Sequence, residues 1–174
     1  MILADGVNLL LGVLGIIAQV IIVWLLLSWL FGVKVPAITR THALHIAFAA
    51  ATVAVLGSLT YSDILGYEPC KLCWIQRILM YPQLLILGMA LWGKHKGSHA
   101  LIDVSIILSL AGAVVAAYQS LMQLGIVSEG ACAANAVSCA QIFVMEFGYI
   151  TIPFMACITF LLIALLAHHK RRHA

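Results

Sequence analysis

Polar positions along this chain are few, and they fall in bunches. Between the bunches run five apolar stretches, at residues 7–31, 43–60, 74–92, 100–123 and 149–167. Each is near the ~20 residues an α-helix needs to cross the hydrocarbon of a bilayer. The first stretch has the position of a signal peptide. Its start, MILADGVN, is acidic and carries no Lys or Arg, and its core is too long for a signal sequence. The pattern predicts that this helix is retained, and that the chain is an all-α integral membrane protein with five spans.

Composition strengthens that reading. The chain is 64% hydrophobic and 9% charged, where a soluble domain carries about a quarter charged residues. So few charges cannot cover a water-facing surface, and so apolar a chain is not disordered. The net charge of +3 does not point to nucleic acid, because the basic residues sit at helix ends. No soluble domain, linker or internal repeat is evident, and Asn135 is not in a glycosylation sequon.

The basic residues set the expected orientation. Lys34 and Arg40 fall between spans one and two, Lys94 and Lys96 between three and four, and Lys170, Arg171 and Arg172 after span five. This alternation marks a cytoplasmic side. Asp5, Asp63, Glu68, Glu129 and Glu146 fall on the other side, with Lys71 and Arg77. The N-terminus is expected outside and the C-terminus in the cytoplasm. His42, His45, His95, His99, His168, His169 and His173 all map to the cytoplasmic side, opposite the cysteines, which argues against a shared metal site. The ending HHKRRHA reads as a basic anchor against anionic lipid.

Four of the five cysteines fall on the outer side, where disulfides form and persist. Residues 69–77 read PCKLCWIQR. This puts Cys70 and Cys73 in the loop entering span three, at a helix start whose unpaired N–H groups favour a thiolate. Three readings stay open for the pair: a redox dithiol, a structural disulfide, or half of a zinc site. Arg77 lies one helical turn past Cys73 on the same face, inside an apolar helix where a cation is costly. It either stabilises negative charge beside Cys73 or snorkels to the interface. Tyr81, one turn deeper, reads as packing, and Pro82 is expected to kink the helix.

The second pair, Cys132 and Cys139, lies in the longest loop among small polar residues. A disulfide there closes a short ring that can exchange with an incoming thiol. Beyond it, Ile142, Phe143, Met145, Glu146 and Phe147 read as a short interfacial helix. Gln119 and Gln123 share a face near the outer end of span four. They are candidates to hydrogen-bond a quinone carbonyl or, the favoured reading, another helix. Cys157 reads as a small buried apolar residue. Two dithiols on one face suggest an electron relay with a lipid-soluble acceptor, although no spacing names that acceptor.

The run PCKLCWIQRILMYP at 69–82, the loop pair, and FGYITIPF at 147–154 resemble the disulfide bond formation protein B (DsbB) family, and its BdbC-like branch in particular. The resemblance covers about residues 41–167. It implies a four-helix redox domain at 41–174, to which residues 1–40 add an extra transmembrane helix and a basic loop. It also implies a location in the bacterial cytoplasmic membrane. By that resemblance Cys73 faces a quinone, ubiquinone or menaquinone, with Cys70 as its partner and Arg77 beside the quinone ring. Cys132 and Cys139 then exchange with a DsbA- or BdbD-like thioredoxin-fold thiol oxidase, and no metal takes part. Three other readings compete: a vitamin K epoxide reductase-like enzyme, in which the redox pair follows the loop cysteines, a scaffold with two structural disulfides, and a metal-binding transporter. The order of the pairs here favours the first reading.

Overall fold

The computed structural model describes residues 2–31, 37–92, 98–128 and 137–172. Among these residues, five helices are long and apolar enough to cross a membrane: α1 (Ile2–Phe31), α2 (Ala37–Leu59), α3 (Lys71–Trp92), α4 (His99–Gln123) and α5 (Ile152–Arg172). The protein is an all-α integral membrane protein, a four-helix bundle of α2–α5 with α1 added against α5. The five stretches expected from the sequence all appear, and the helices run several residues past some of the expected ends.

Small and bulky residues alternate where the helices meet. Gly112 lets α4 approach α5 so closely that a Cβ there would lie 2.3 Å from the ring of Phe160, which is fully buried. On α3, Gln76, Met80, Gln83, Leu87 and Ala90 form the inward stripe, at the three- and four-residue spacing of one helix face. Gln83 is buried at mid-bundle without an unmet bond. Its Nε2 donates to Ser109 Oγ at 2.7 Å and to the Ser105 carbonyl at 3.1 Å, and its Oε1 accepts from Ser105 Oγ at 2.7 Å. In a bilayer core such groups have no water to turn to, so they pair across helices.

The two ends of the bundle differ. At one end lie the T-shaped rings of His45 and Trp92 and the ion pair of Arg171 with Asp103. At the other, α2 ends in a π-helical turn, Thr60–Ile64, closed by Leu65 N–H donating to the Thr60 carbonyl at 3.0 Å. Tyr61 in that turn is buried and donates to Asn8 Oδ1 of α1 at 3.0 Å. It stacks on Tyr67, which stacks in turn on Phe143. This aromatic column joins α2, the α2–α3 connection and the α4–α5 loop, and it roofs the end of the bundle that holds the cysteines.

Two expectations change. Residues 142–147 form no helix: Glu146 and Ile150 exchange backbone hydrogen bonds at 2.9 Å around a turn. Phe147 and Gly148 have φ of 51° and 78°, a left-handed pair that reverses the chain. A segment this short cannot repay helix nucleation, and burial of Val144 and Ile150 holds it in the turn instead. In consequence α5 begins at Ile152 rather than 149, with Pro153 in its first turn, where a missing N–H is harmless. The second change is at the other cysteine pair. Cys73 is not in the loop but in the first turn of α3, which runs on through Pro82 to Trp92.

Candidate active site

The N-terminus of α3 is built around Cys70. Its carbonyl accepts the first helical hydrogen bond, from Trp74 N–H at 3.1 Å. Its Sγ accepts the N–H of Cys73 at 3.3 Å. This is the geometry of an N-cap, with sulfur in the place usually taken by a hydroxyl or carboxylate oxygen. The cap turns both side chains inward. Cys70 Sγ and Cys73 Sγ, both free thiols, stand 2.7 Å apart, a small movement from the ~2.05 Å of a disulfide. The hydrogen bond with Cys73, and after it burial, pushes the Cys70 thiol above its ordinary range. Cys70 is buried and Cys73 is partly exposed, so Cys73 is the more accessible sulfur of the pair.

Gln119 of α4 organises this pair. Its Nε2 lies 3.2 Å from Cys70 Sγ, 3.5 Å from Cys73 Sγ and 3.3 Å from the backbone oxygen of Cys139. Its Oε1 accepts from Gln76 Nε2 at 2.6 Å. Cys139 is fully buried and disulfide-bonded, and it packs in one apolar cluster with Cys70, Leu72 and Met122. One glutamine amide thus bridges the two segments that carry the cysteines. Cys132 lies outside the described residues.

Arg77 is held by α2. Its Nε donates to Ser58 Oγ and its Nη2 to the Ser58 carbonyl, both at 2.9 Å, near the end of α2. The guanidinium carbon sits 5.2 Å from the Trp74 ring centroid. Arg77 and Cys73 line the same cavity, of about 350 Å³, which lies between α1, α2, α3 and α5 and is bordered by Gln119 of α4. Its walls are apolar, and its polar lining, which includes Cys73, Gln76, Arg77, Gln119 and Ser58, gathers toward the capped end of α3. A second cleft, of about 30 Å³, lies between the thiols and the loop and is bordered by Cys70, Cys73, Gln119, Ser138 and Gln141. Cys73 borders both spaces; Cys70 borders only the smaller one.

Comparison with known proteins gives one consistent answer. The family model for disulfide bond formation protein DsbB matches residues 39–169. The "probable disulfide formation protein" of Oceanobacillus iheyensis is 44% identical over 128 residues, covering 72% of this chain and 86% of the relative. "Probable disulfide formation protein C 1" of Bacillus cereus is 38% identical over 126 residues, covering 72% and 88%. "Disulfide bond formation protein C" of Bacillus subtilis is 38% identical over 126 residues, covering 71% and 88%. This chain belongs to the DsbB family. It is a multi-pass membrane protein of disulfide bond formation, with thiol–disulfide oxidoreductase activity. No solved structure gives a significant match.

For a DsbB-family chain, the sequence-derived candidates separate in an informative way. Cys70, Cys73, Arg77 and Gln119 come together with Cys139. Gln123 borders the small cleft beside them, and its Nε2 donates to the Gln141 carbonyl at 3.0 Å on the loop. Gln119 makes the inter-helix bond that was the favoured reading, and it touches both thiols as well. Cys157 is half-buried, with its Sγ 3.7 Å from the Ala113 carbonyl. Gln76 and Ser58 were missed. Gln76 carried a usable signal, a glutamine on an apolar helix one turn past Cys73. Ser58 carried none, because only the packing of α2 on α3 brings it to Arg77.

Proposed function

We propose that this protein reoxidises an extracytoplasmic thioredoxin-fold thiol oxidase and passes the electrons to a membrane quinone. The observation that carries the reading is the position of Cys73, which borders an apolar cavity on one side and the cleft toward the Cys139 loop on the other. The cavity suits a quinone. It is within the size range of small-molecule pockets, it is apolar, and Gln76, Arg77 and Gln119 can meet ring oxygens at its polar end. When bound, a quinone supplies an acceptor for two electrons and two protons.

The residues then divide the work. The partner's dithiol reduces the loop disulfide of Cys132 and Cys139 and leaves oxidised. The loop dithiol attacks the Cys70–Cys73 disulfide from the small cleft, which Cys70 borders. A mixed disulfide forms and resolves, restoring the loop disulfide and leaving Cys70 and Cys73 as thiols. Cys73 delivers the electron pair on the cavity side as the pair closes again, and the thiol protons of Cys70 and Cys73 supply the two protons. Arg77 and the Gln119 amide stabilise negative charge at Cys73 Sγ. Over the cycle one partner dithiol becomes a disulfide and one quinone becomes a quinol. In this reading residues 41–174 are the redox unit, residues 1–40 are an added helix, and the thiol end faces outward with the C-terminus in the cytoplasm.

The test uses purified protein with a reduced thioredoxin-fold oxidase and a short-chain ubiquinone. Quinone absorbance and partner thiols are followed together. One partner disulfide formed per quinone reduced supports the cycle; partner oxidation that does not depend on quinone overturns it.

A further inference from the structure

The apolar cavity has one wall that the family does not supply. The family match begins at residue 39, whereas α1 ends at Phe31. Yet Leu11, Leu14, Gly15, Ala18 and Ile21 of α1 line the cavity that holds Cys73 and Arg77. Their spacing of three and four residues places them on one face of the helix. This face is set by contacts at both sides. Toward α2, Leu11 closes on Gly57, where a Cβ would lie 3.1 Å from Leu11 Cδ1. Toward the loop and α5, Gly12 abuts Phe147 and Gly15 faces Met155. At the roofed end Tyr61 is bonded to Asn8.

The stripe from Leu11 to Ile21 rises about 15 Å along the bundle, so the cavity continues well inward from the polar groups at the capped end of α3. That depth has no polar side chain from α1 and exceeds what a ring beside Cys73 needs. The mid-depth positions are the small residues Gly15 and Ala18, which leave width between α1 and α2. Leu14 and Ile17, at the edge of the wall, are 37% and 49% exposed, so the cavity reaches the lipid-facing surface along α1.

We propose that α1 is a binding element for the apolar chain of the quinone, with Leu14, Gly15 and Ala18 setting how well a long chain is accepted. This rests on the quinone reading above and adds to it a specificity role for the extra helix. The ring meets α2, α3 and α4 at the thiol end. The chain lies along α1 and leaves toward lipid beside Leu14 and Ile17.

The test compares two probes, a benzoquinone with a ten-carbon alkyl chain and the same ring bearing only a methyl group. Ala18→Phe fills the cavity at mid-depth, away from the thiols, Gln119 and Arg77. It is expected to raise KM for the long-chain quinone about tenfold, the consequence of displacing roughly two buried methylenes, and to leave the methyl quinone within twofold. A separate readout needs no turnover: a long-chain quinone with an azide at the chain end should photolabel a peptide of α1 in the unmodified protein, and the label should fall in Ala18→Phe. If Ala18→Phe does not fold, the milder Gly15→Ala replaces it in the kinetics, and the labelling of the unmodified protein still decides. Equal response of both quinones, or a label confined to α2–α5, overturns the role of α1 and leaves the function reading standing. Reduction of neither quinone by the unmodified protein overturns the function reading, and this one with it.

Discussion

Two glutamines on the same face of α3, Gln76 and Gln83, stand two turns apart and both reach to α4. Gln83 finds Ser105 and Ser109, and every polar atom in that group has a partner in a site closed to solvent and to both cavities. Gln76 finds Gln119, whose remaining capacity is spread over two thiols and the backbone of Cys139. One network is closed and serves packing. The other is open on one side and is shared among groups that change protonation and bonding. An inter-helix glutamine is thus a clamp or a device for tuning a thiol, depending on whether its partners are inert hydroxyls or sulfur.

The sharpest way to separate the networks is to remove the sulfur. Cys73→Ser is expected to abolish quinone reduction while the thermal unfolding midpoint stays near that of the unmodified protein, read by light scattering or intrinsic fluorescence in detergent. Loss of stability comparable to a core mutation would place Cys73 with the packing residues instead. Gln83→Ala should do the reverse. It leaves two buried hydroxyls unmatched and a void, costing about 2–3 kcal/mol of stability, with quinone KM unchanged in whatever folds.

Arg77→Ala comes next. If the guanidinium stabilises charge beside Cys73, the apparent quinone KM rises about tenfold for each ~1.4 kcal/mol lost, and exchange between the loop pair and the partner persists. Arg77→Lys recovers part of this, because an ammonium cannot span both Ser58 oxygens as the fork does. Unchanged steady-state kinetics would make Arg77 a clamp on α2 alone.

Smaller effects follow at the thiols. In reduced protein, iodoacetamide is expected to modify Cys73 before Cys70, since Cys70 is buried and its thiol is pushed upward. Gln119→Leu should narrow that difference. Mass spectrometry of timed samples reads the order, and equal rates at neutral pH would remove the asymmetry. The least effect is expected at Gln123→Ala, within about twofold of normal turnover, because its bond to the Gln141 carbonyl is exposed and such bonds contribute about 1 kcal/mol or less.

Much of the fold was legible because a bilayer imposes its thickness on the chain. Five apolar runs had to become five helices, and their positions followed from length alone. The Cys70–Cys73 spacing and Arg77 were legible for a local reason: a helix fixes which neighbours share a face. The interfacial helix after Cys139 was misread because apolar content was visible and the turn at Phe147 and Gly148 was not weighted. Gln76 was overlooked although it lay within the motif.

By itself, the sequence determined the all-helical membrane class, the cysteine pair at a helix start and the family. All of these depend on local periodicity, on hydropathy or on contiguous motifs. Only tertiary structure decided that Gln119 bridges Cys70, Cys73 and Cys139, that Ser58 holds Arg77, and that α1 walls the cavity beside Cys73. Those contacts join residues 19 to 49 or more positions apart. They depend on how far each helix leans from its neighbours, which small residues such as Gly57 and Gly112 set through close packing, and no linear pattern records that distance.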